Sequence, residues 1–372
     1  MACLLCDSDL SQAPALALGP LPPCNRFGEA GAERQPLTAV QCPHCALVQL
    51  AQLPPLDWLR PRHAWIRYNE PSAHLPAVAA RLRAHCAPAT RVLGVGPFEG
   101  PLHAALDWAT ERASVAAPGD GYLEAWQARL NAPGAGQAEL VTCRYLLEHS
   151  HDPRAALRGL ASLLAPDGRL YLEVPDSSKF LAAGDISFLW EEHSCYFTEA
   201  TLRRLAAAAG LTVQALWRYP GALEDALCVL LAPGAATAAA EDPEEFSRFG
   251  AYRAAYPVQR AAYAQALAGQ RCAVFGAGHQ AILFIHAFGL SEQIAYVVDD
   301  APDKAGSTIP GSTIPILPSA SLAADSALDI CLLAIGPAVI DKLAHVFDPL
   351  RARGVRVHTL FPGAGSGTLI DP

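Results

Sequence analysis

Apolar residues recur along this chain at two different spacings, which predict helices and buried strands in turn. Over Ser72–His85 they recur every three to four residues, so this segment predicts a helix. Short apolar runs next to glycine or proline predict strands at Arg91–Val95, at Glu139–Cys143 and, after a turn, within Pro166–Pro175. Ala155–Ala165 predicts a helix between the last two strands. Strands that alternate with helices predict an α/β fold.

The same pattern begins again late in the chain. A connector over 233–245 and a linking helix over 246–268 lead to Cys272–Ala281, which predicts a strand, a glycine turn and the start of a helix. Val297–Asp300 ends the next strand about 20 residues later, where a dinucleotide-binding fold carries the acid that binds ribose. Gln280 stands near the place of the third glycine of such a fold, so an NAD-dependent enzyme is an alternative and not the first hypothesis.

The chain has 372 residues, which favours two or three domains. Hydrophobic residues make up 52% and charged residues 17%, so a large core is available. The formal net charge is −9 and no cluster of Lys and Arg occurs, which argues against nucleic acid or an anionic membrane as the partner and favours a small molecule. The sequence begins without a signal-peptide pattern and has no long apolar run, so we expect a cytoplasmic protein.

Four of the eleven cysteines are paired by their spacing. Cys3 with Cys6 and Cys42 with Cys45 form two CxxC motifs, each of which can offer two thiolates to one tetrahedral ion. The pattern predicts a zinc ribbon. Four thiolates leave no open position on the ion, so the zinc is expected to be structural.

The motifs resemble a known family in the order in which they occur. The cysteine pairs, the segment 20–27 and the residues up to Leu50 resemble the zinc-binding head of sugar C-methyltransferases of antibiotic deoxysugar pathways. The middle segment resembles a class I methyltransferase that uses S-adenosylmethionine, and 294–316 resembles the C-terminal domain of the same C-methyltransferases. The resemblance implies a zinc-binding domain over 1–58, a Rossmann-like methyltransferase domain over 59–240 and a second Rossmann-like, substrate-side domain over 241–372.

The resemblance also implies where the cofactor binds. It assigns S-adenosylmethionine to the turn that contains Gly94, Gly96, Glu99 and Gly100. The chain departs from the family here, because the family usually has an acidic residue at the position of Gly94 and another near Ala117.

The segment Leu189–Thr198 resembles the family's Tyr-His-Glu-His-x-x-Tyr-Phe signature, where a proton next to a ketone is removed. The resemblance implies that His193 is the base, that Glu192 orients it and that His149 donates to the enolate oxygen. A structural corner formed by these residues is the alternative. Three further residues are expected to contact the substrate: Tyr68, Trp190 and Tyr196.

One further departure concerns the acceptor. The family has His-Gly-Gly-Ser where this chain has Pro220–Asp225. This segment includes an acidic pair, which would repel the negative charge of a diphosphate. The first hypothesis is therefore a C-methyltransferase that acts beside a carbonyl of a small sugar-like or natural-product acceptor. A catalytically silent or repurposed relative that binds a metabolite or a partner protein stays open, and the sequence does not indicate the oligomeric state.

Overall fold

The structure is a computed structural model that describes residues 1–66, 68, 70–86, 90–115, 137–234, 243–362 and 367–370. It contains three β-sheets and the helices that pack on them, so the α/β class expected from the sequence is confirmed. Within these residues no helix is both long enough and apolar enough to cross a membrane.

The first sheet is antiparallel and has four strands in the order β1-β2-β3-β8. Three come from the N-terminal part of the chain, and the fourth comes from the middle of the chain. They are β1 (Ala15–Leu21), β2 (Gln35–Gln41), β3 (Val48–Leu50) and β8 (Cys195–Tyr196). Val48 pairs with Tyr196 and Gln49 with Cys195, so the segment 189–198 is bonded directly to the N-terminal part of the chain.

The second sheet has the order β5-β4-β6-β7-β10-β9. Its strands are β4 (Arg91–Gly94), β5 (Glu111–Ser114), β6 (Ala138–Arg144), β7 (Leu164–Asp176), β9 (Leu211–Tyr219) and β10 (Asp225–Pro233). The first four strands in that order are parallel, and β10 is antiparallel to both β7 and β9. The carboxyl ends of β4 and β6 therefore meet at one edge, where open α/β sheets bind their ligands.

Short helices connect the first two sheets and cover the second. They are α1 (Leu56–Leu59), α2 (Leu75–Arg83), α3 (Gly100–Ala105), α4 (Pro153–Ala161), α5 (Ser178–Ala183) and α6 (Glu199–Ala208). Single turns of 3-10 helix occur at Leu147–His149 and Ile186–Phe188.

The third sheet is fully parallel, in the order β13-β12-β11-β14-β15. Its strands are β11 (Cys272–Phe275), β12 (Ile294–Val298), β13 (Ile316–Leu317), β14 (Ile330–Leu333) and β15 (Arg356–Thr359). The helices of this part are α7 (Glu244–Leu267), α8 (His279–Ala287), α9 (Ser321–Ala324), α10 (Pro337–Lys342) and α11 (Ala344–Ala352), with a 3-10 turn at Pro302–Lys304.

One predicted helix was too long. The pattern over Ala155–Ala165 predicted a helix to its end, but α4 stops at Ala161 and Leu164 already belongs to β7. Ala138 pairs with Leu164, and the turn expected after Ala165 is an irregularity inside a strand of 13 residues, with Asp167 at a φ of 63°. Sheet pairing therefore prevailed over the local helical pattern.

The N-terminal sheet packs against the C-terminal part of the chain. Leu16 and Leu18 of β1 share one buried apolar core with Ala281 and Phe284 of α8. Burial of such apolar surface is the main force that holds packed elements together.

Candidate functional site

The four cysteines expected to bind zinc lie together, with their sulfur atoms within 4.8 Å of one another. Cys3 Sγ lies 3.5 Å from Cys45 Sγ, and Cys6 Sγ lies 3.5 Å from Cys42 Sγ. These separations are too long for disulfides and are close to the ~3.8 Å between thiolates that share a tetrahedral zinc at 2.3 Å. The donor set therefore fits zinc.

Backbone amides support the same sulfur atoms. The amide of Leu5 lies 3.4 Å from Cys3 Sγ, and the amides of His44 and Cys45 lie 3.4 and 3.5 Å from Cys42 Sγ. N–H donors that point at a thiolate stabilise its negative charge. Cys24 is bonded elsewhere and is not in the cluster.

The predicted cofactor turn follows β4. Gly96 has a φ of 133°, which side chains rarely adopt, and a Cβ at Gly100 would meet open space within 4 Å. Both properties suit a turn whose backbone approaches a bound molecule. A Cβ at Gly94 would lie 2.7 Å from the ring of His103 on α3, so this glycine makes room for a side chain of the protein itself.

Glu99 points inward at this turn. Its carboxylate accepts hydrogen bonds from Thr142 Oγ1 at 2.5 Å and from the backbone amide of Arg144 at 2.8 Å, both on β6. Burial raises the pKa of Glu99 to about 7, although these bonds oppose the shift. Glu99 therefore ties the turn to β6. Ala117, the other position where the family has an acid, lies outside the described residues.

Arg144 holds the turn from the other side. Its Nη1 donates to the carbonyl of Phe98 at 2.7 Å, and its Nε and Nη2 donate to the carboxylate of Glu173 at 2.7 and 3.0 Å. His74 Nε2 lies 2.9 Å from the same carboxylate. This buried ion pair gives the turn a rigid support.

The segment after Leu189 is fixed by its own contacts before any ligand is considered. Tyr196 donates its hydroxyl to the Trp190 carbonyl at 3.0 Å and accepts from the Trp190 amide at 2.9 Å. Glu191 accepts a hydrogen bond from the backbone amide of Cys24 at 2.5 Å. Tyr196, expected to contact substrate, thus closes a buried corner, and it does not line either of the two cavities described below.

The sequence led us to expect that Glu192 orients His193. The hydrogen bonds that the structure shows for Glu192 join it to other residues. Its carboxylate accepts from the hydroxyl of Tyr68 at 2.9 Å and from the Asn25 side chain at 3.2 Å. Its carbonyl accepts from His149 Nδ1 at 2.8 Å. Glu192 therefore positions Tyr68 and His149.

His193 and His149 do lie together, with ring centroids 4.6 Å apart. Burial is the main cause that lowers the pKa of both imidazoles, to about 4 for His149, so both are neutral at neutral pH. A neutral imidazole has one nitrogen lone pair that can take a proton. His193 lines a cavity and can serve as that base.

The cavity that His193 lines has a volume of about 480 Å³ and lies between the second and third sheets. Trp190 forms part of its wall and stacks on His279 of α8, with ring centroids 4.4 Å apart. A second cavity of about 360 Å³ meets the first at Tyr68, Trp190 and His279. Both volumes lie in the range of small-molecule sites.

The larger cavity is lined by three acidic residues, Glu70, Glu148 and Glu224. Burial raises the pKa of Glu70 to about 8 and that of Glu224 to about 7, and it raises the pKa of Glu148 well above its usual range. Such a wall favours neutral or hydroxyl-rich groups over a diphosphate.

Asp299, the acidic residue expected to bind ribose near the glycine turn at the start of α8, is bonded to groups of the protein itself. Asp299 Oδ2 accepts from the amide of Ala277 at 2.9 Å and from Lys304 Nζ at 2.8 Å, and Oδ1 accepts from the amide of Ala301 at 2.9 Å. The alternative of NAD binding therefore loses its expected ribose ligand.

Sequence reasoning gave no role to Glu148, Glu70 or His279, although each lines the larger cavity. Glu148 stands directly before His149 in the sequence, but the sequence does not indicate that its carboxyl group is buried. His279 follows the second glycine turn directly, and that position was the one available signal for it.

Comparison with known families matches two consecutive parts of the chain. Residues 70–216 match a methyltransferase domain, and residues 237–360 match a C-methyltransferase C-terminal domain. The C-methyltransferase NovU of Streptomyces niveus is 28% identical over 200 residues, which are 49% of this chain and 47% of NovU. A ubiquinone biosynthesis O-methyltransferase of Aeromonas salmonicida (strain A449) is 33% identical over 89 residues, 21% of this chain and 37% of that protein. The chain thus spans less than half of each of these relatives.

Solved structures give a weaker likeness. The 1,6-didemethyltoxoflavin-N1-methyltransferase of Burkholderia thailandensis, with bound S-adenosylhomocysteine, is 22% identical, has a TM-score of 0.34 and covers 44% of this chain and 79% of its own. The magnesium protoporphyrin IX methyltransferase of Synechocystis PCC 6803 is 18% identical, has a TM-score of 0.31 and covers 46% of this chain and 88% of its own. The matched domains and their order establish that this chain resembles the C-methyltransferase family.

Proposed function

We propose that the protein is an S-adenosylmethionine-dependent C-methyltransferase that methylates a carbon next to a carbonyl of a small, sugar-like or natural-product acceptor. The observation that carries this proposal is the 480 Å³ cavity, because its walls come from both matched segments. Glu148 and His193 belong to the methyltransferase domain, and His279 and Gln280 belong to the C-methyltransferase C-terminal domain. We divide the chain accordingly into 1–58, 59–240 and 241–372.

The residues of the first glycine turn fit the cofactor in part. The backbone at Gly96 and Gly100 would hold S-adenosylmethionine, which supplies the methyl group when bound. Gly94 is packed against His103 and Glu99 is bonded to β6, so neither provides the acidic anchor that the family uses.

The chain's own groups would act on the acceptor. His193 takes the proton from the carbon next to the carbonyl, since it is neutral and faces the cavity. Tyr68, held by Glu192, and Trp190 would orient the acceptor at the junction of the two cavities. Trp190 cannot be a base, because its indole N–H only donates.

We further propose one structural zinc ion on Cys3, Cys6, Cys42 and Cys45. Its role would be to hold the N-terminal sheet, and through β8 the segment that carries His193, in place.

Calorimetric titration with S-adenosylmethionine and S-adenosylhomocysteine tests the cofactor. We expect both to bind with micromolar to millimolar affinity. Gly96→Ala should weaken binding at least tenfold, because its φ of 133° strains any side chain at the turn. Gly210→Ala is the matched control: it also has a positive φ, 75°, but lies between α6 and β9. Absence of binding by the unaltered protein at millimolar concentration would reject the proposal and leave a binding protein of the same fold.

A further inference from the structure

Glu148 lines the larger cavity, and its protein contacts do not explain the position of its carboxyl group. Its exposed fraction is 2%, and among the described residues no other residue donates a hydrogen bond to either carboxylate oxygen. A buried polar group without a partner costs about 1–3 kcal/mol, so its presence needs a reason. Because Glu148 lines the cavity, a bound molecule can supply the missing partner.

Two histidines lie close to Glu148. One oxygen of Glu148 and one nitrogen each of His149 and His193 lie within 4.8 Å of one another. Glu148 and His193 both line the cavity, so an acceptor seated there can reach an acid and a base at once. Enolisation of a ketone requires such a pair on neighbouring atoms of the acceptor.

His149 is less suited to the donor role that the family resemblance gave it. Its Nδ1 lies 2.8 Å from the carbonyl oxygen of Glu192, an acceptor, so its proton is on Nδ1. Since His149 is neutral, its second nitrogen carries a lone pair and has no proton to donate. The donor to the acceptor's oxygen must therefore be another group.

The protonation of Glu148 suits a donor. Burial raises its pKa most, its own backbone amide opposes the shift, and the neighbouring carboxyl groups of Glu70, Glu224 and Glu173 add to it. A carboxylic acid that stays protonated at neutral pH has an O–H to donate, as in other sites that stabilise enolates in an apolar environment.

We propose that Glu148 is a catalytic acid that donates its O–H to the carbonyl oxygen of the acceptor while His193 removes the proton from the adjacent carbon; this rests on the proposed function. The C–H bond breaks and its electron pair forms a C=C bond, while the carbonyl π pair moves to the oxygen, which takes the Glu148 proton. The C=C pair then forms the bond to the methyl group that S-adenosylmethionine would supply, and the pair of the broken S–C bond would stay on sulfur as S-adenosylhomocysteine. The oxygen returns its proton to Glu148 and the C=O bond forms again. His193 releases its proton to water.

Phenols of graded acidity test this without the acceptor or the cofactor, because a phenolate is planar and carries its charge on oxygen as an enolate does. Binding and ionisation of the phenol are followed by its ultraviolet absorbance. We expect the unaltered protein to bind the phenols, and Glu148→Ala to bind them about tenfold or more weakly. The phenol affinity of Glu148→Gln should lie between those of the unaltered protein and Glu148→Ala, because the amide still donates an N–H.

Glu70→Gln is the matched control. Glu70 lines the same cavity and its pKa is also raised, to about 8, but it is outside the cluster with the two histidines. An equal loss in Glu70→Gln, unchanged binding in Glu148→Ala, or no binding of phenols by the unaltered protein would each overturn the proposal.

Infrared difference spectra give a second measurement that holds even if Glu148→Ala does not fold. The spectrum of the unaltered protein minus that of Glu148→Gln should contain the C=O band of a protonated carboxylic acid at neutral pH. A carboxylate band in its place would overturn the proposal. The two proposals fail separately. If the unaltered protein binds phenols but not the cofactor, the methyltransferase function is rejected. If it binds the cofactor but not phenols, the role of Glu148 is rejected.

Discussion

The hydroxyl of Tyr68 donates a hydrogen bond to the carboxylate of Glu192, with 2.9 Å between the two oxygens. The two residues are 124 positions apart, and Glu192 is 1% exposed. Tyr68→Phe removes one donor from a buried carboxylate, which should lower the free energy of unfolding by about 1–3 kcal/mol. Urea denaturation followed by fluorescence measures the change.

Tyr219→Phe is the control for the loss of a hydroxyl. The hydroxyl of Tyr219 is buried and has no hydrogen-bond partner among the described residues, so its removal should leave stability unchanged or slightly higher. Equal losses in the two variants would show that the bond between Tyr68 and Glu192 contributes nothing specific.

Cys42→Ser should remove the zinc ion and loosen the region around Trp190. The reason is that β3, which follows the second CxxC motif, pairs with β8, which follows Trp190. We expect about one zinc per chain in the unaltered protein and almost none in the variant, together with a red shift of tryptophan fluorescence. Elemental analysis and emission spectra provide the two measurements.

Cys86→Ser serves as the matched cysteine, since Cys86 is outside the metal cluster. It should keep both the zinc and the emission spectrum. Full zinc content in Cys42→Ser would contradict the four-thiolate site.

Restoring the family's acid by Gly94→Asp should destabilise the protein and fail to improve cofactor binding. A Cβ at this position would lie 2.7 Å from two atoms of the His103 ring and 2.9 Å from Glu99 Cβ. Overpacking of this kind costs about 1–3 kcal/mol. Adding His103→Ala should recover part of the loss, which urea denaturation of the single and double variants can measure. A single variant as stable as the parent would show that the ring moves away freely.

We expect the free energy of unfolding to fall as pH rises, because of the buried carboxyl group of Glu99. Its pKa is raised from 4.5 to about 7, chiefly by burial, so between these values the folded state binds more protons than the unfolded state. Its contribution is complete below about pH 4.5 and is lost as pH rises through about 7. Glu99→Gln should flatten this part of the profile by a few kcal/mol, measured by urea denaturation at about pH 5 and about pH 8. Parallel profiles for the two proteins would contradict the shifted pKa.

The sequence predicted elements that depend on nearby residues. The linking helix expected over 246–268 spans Glu244–Leu267, and the strand expected over Glu139–Cys143 spans Ala138–Arg144. The four cysteines were identified because two CxxC motifs carry a recognisable ligand spacing. Each of these signals lies within a short window of the chain.

The contacts that build the candidate site are between distant residues and leave no such signal. Cys195 pairs with Gln49, and Asn25 donates to Glu192 across 167 positions. Glu148 could be placed after a strand, but only the surrounding walls make its carboxyl group buried and unpartnered. Periodicity cannot report which distant segments pack together, and burial then sets each pKa.

The pairing of β3 with β8 also has a consequence for the order in which the protein matures on the ribosome. The four cysteines leave the exit tunnel before Cys195 and Tyr196 and could bind the proposed zinc ion first, but β3 then stays an exposed edge until those two residues have been made. During that interval the nascent chain presents an unpaired strand to other chains or to chaperones. The proposed zinc ion would hold this edge in shape until Cys195 and Tyr196 pair with it.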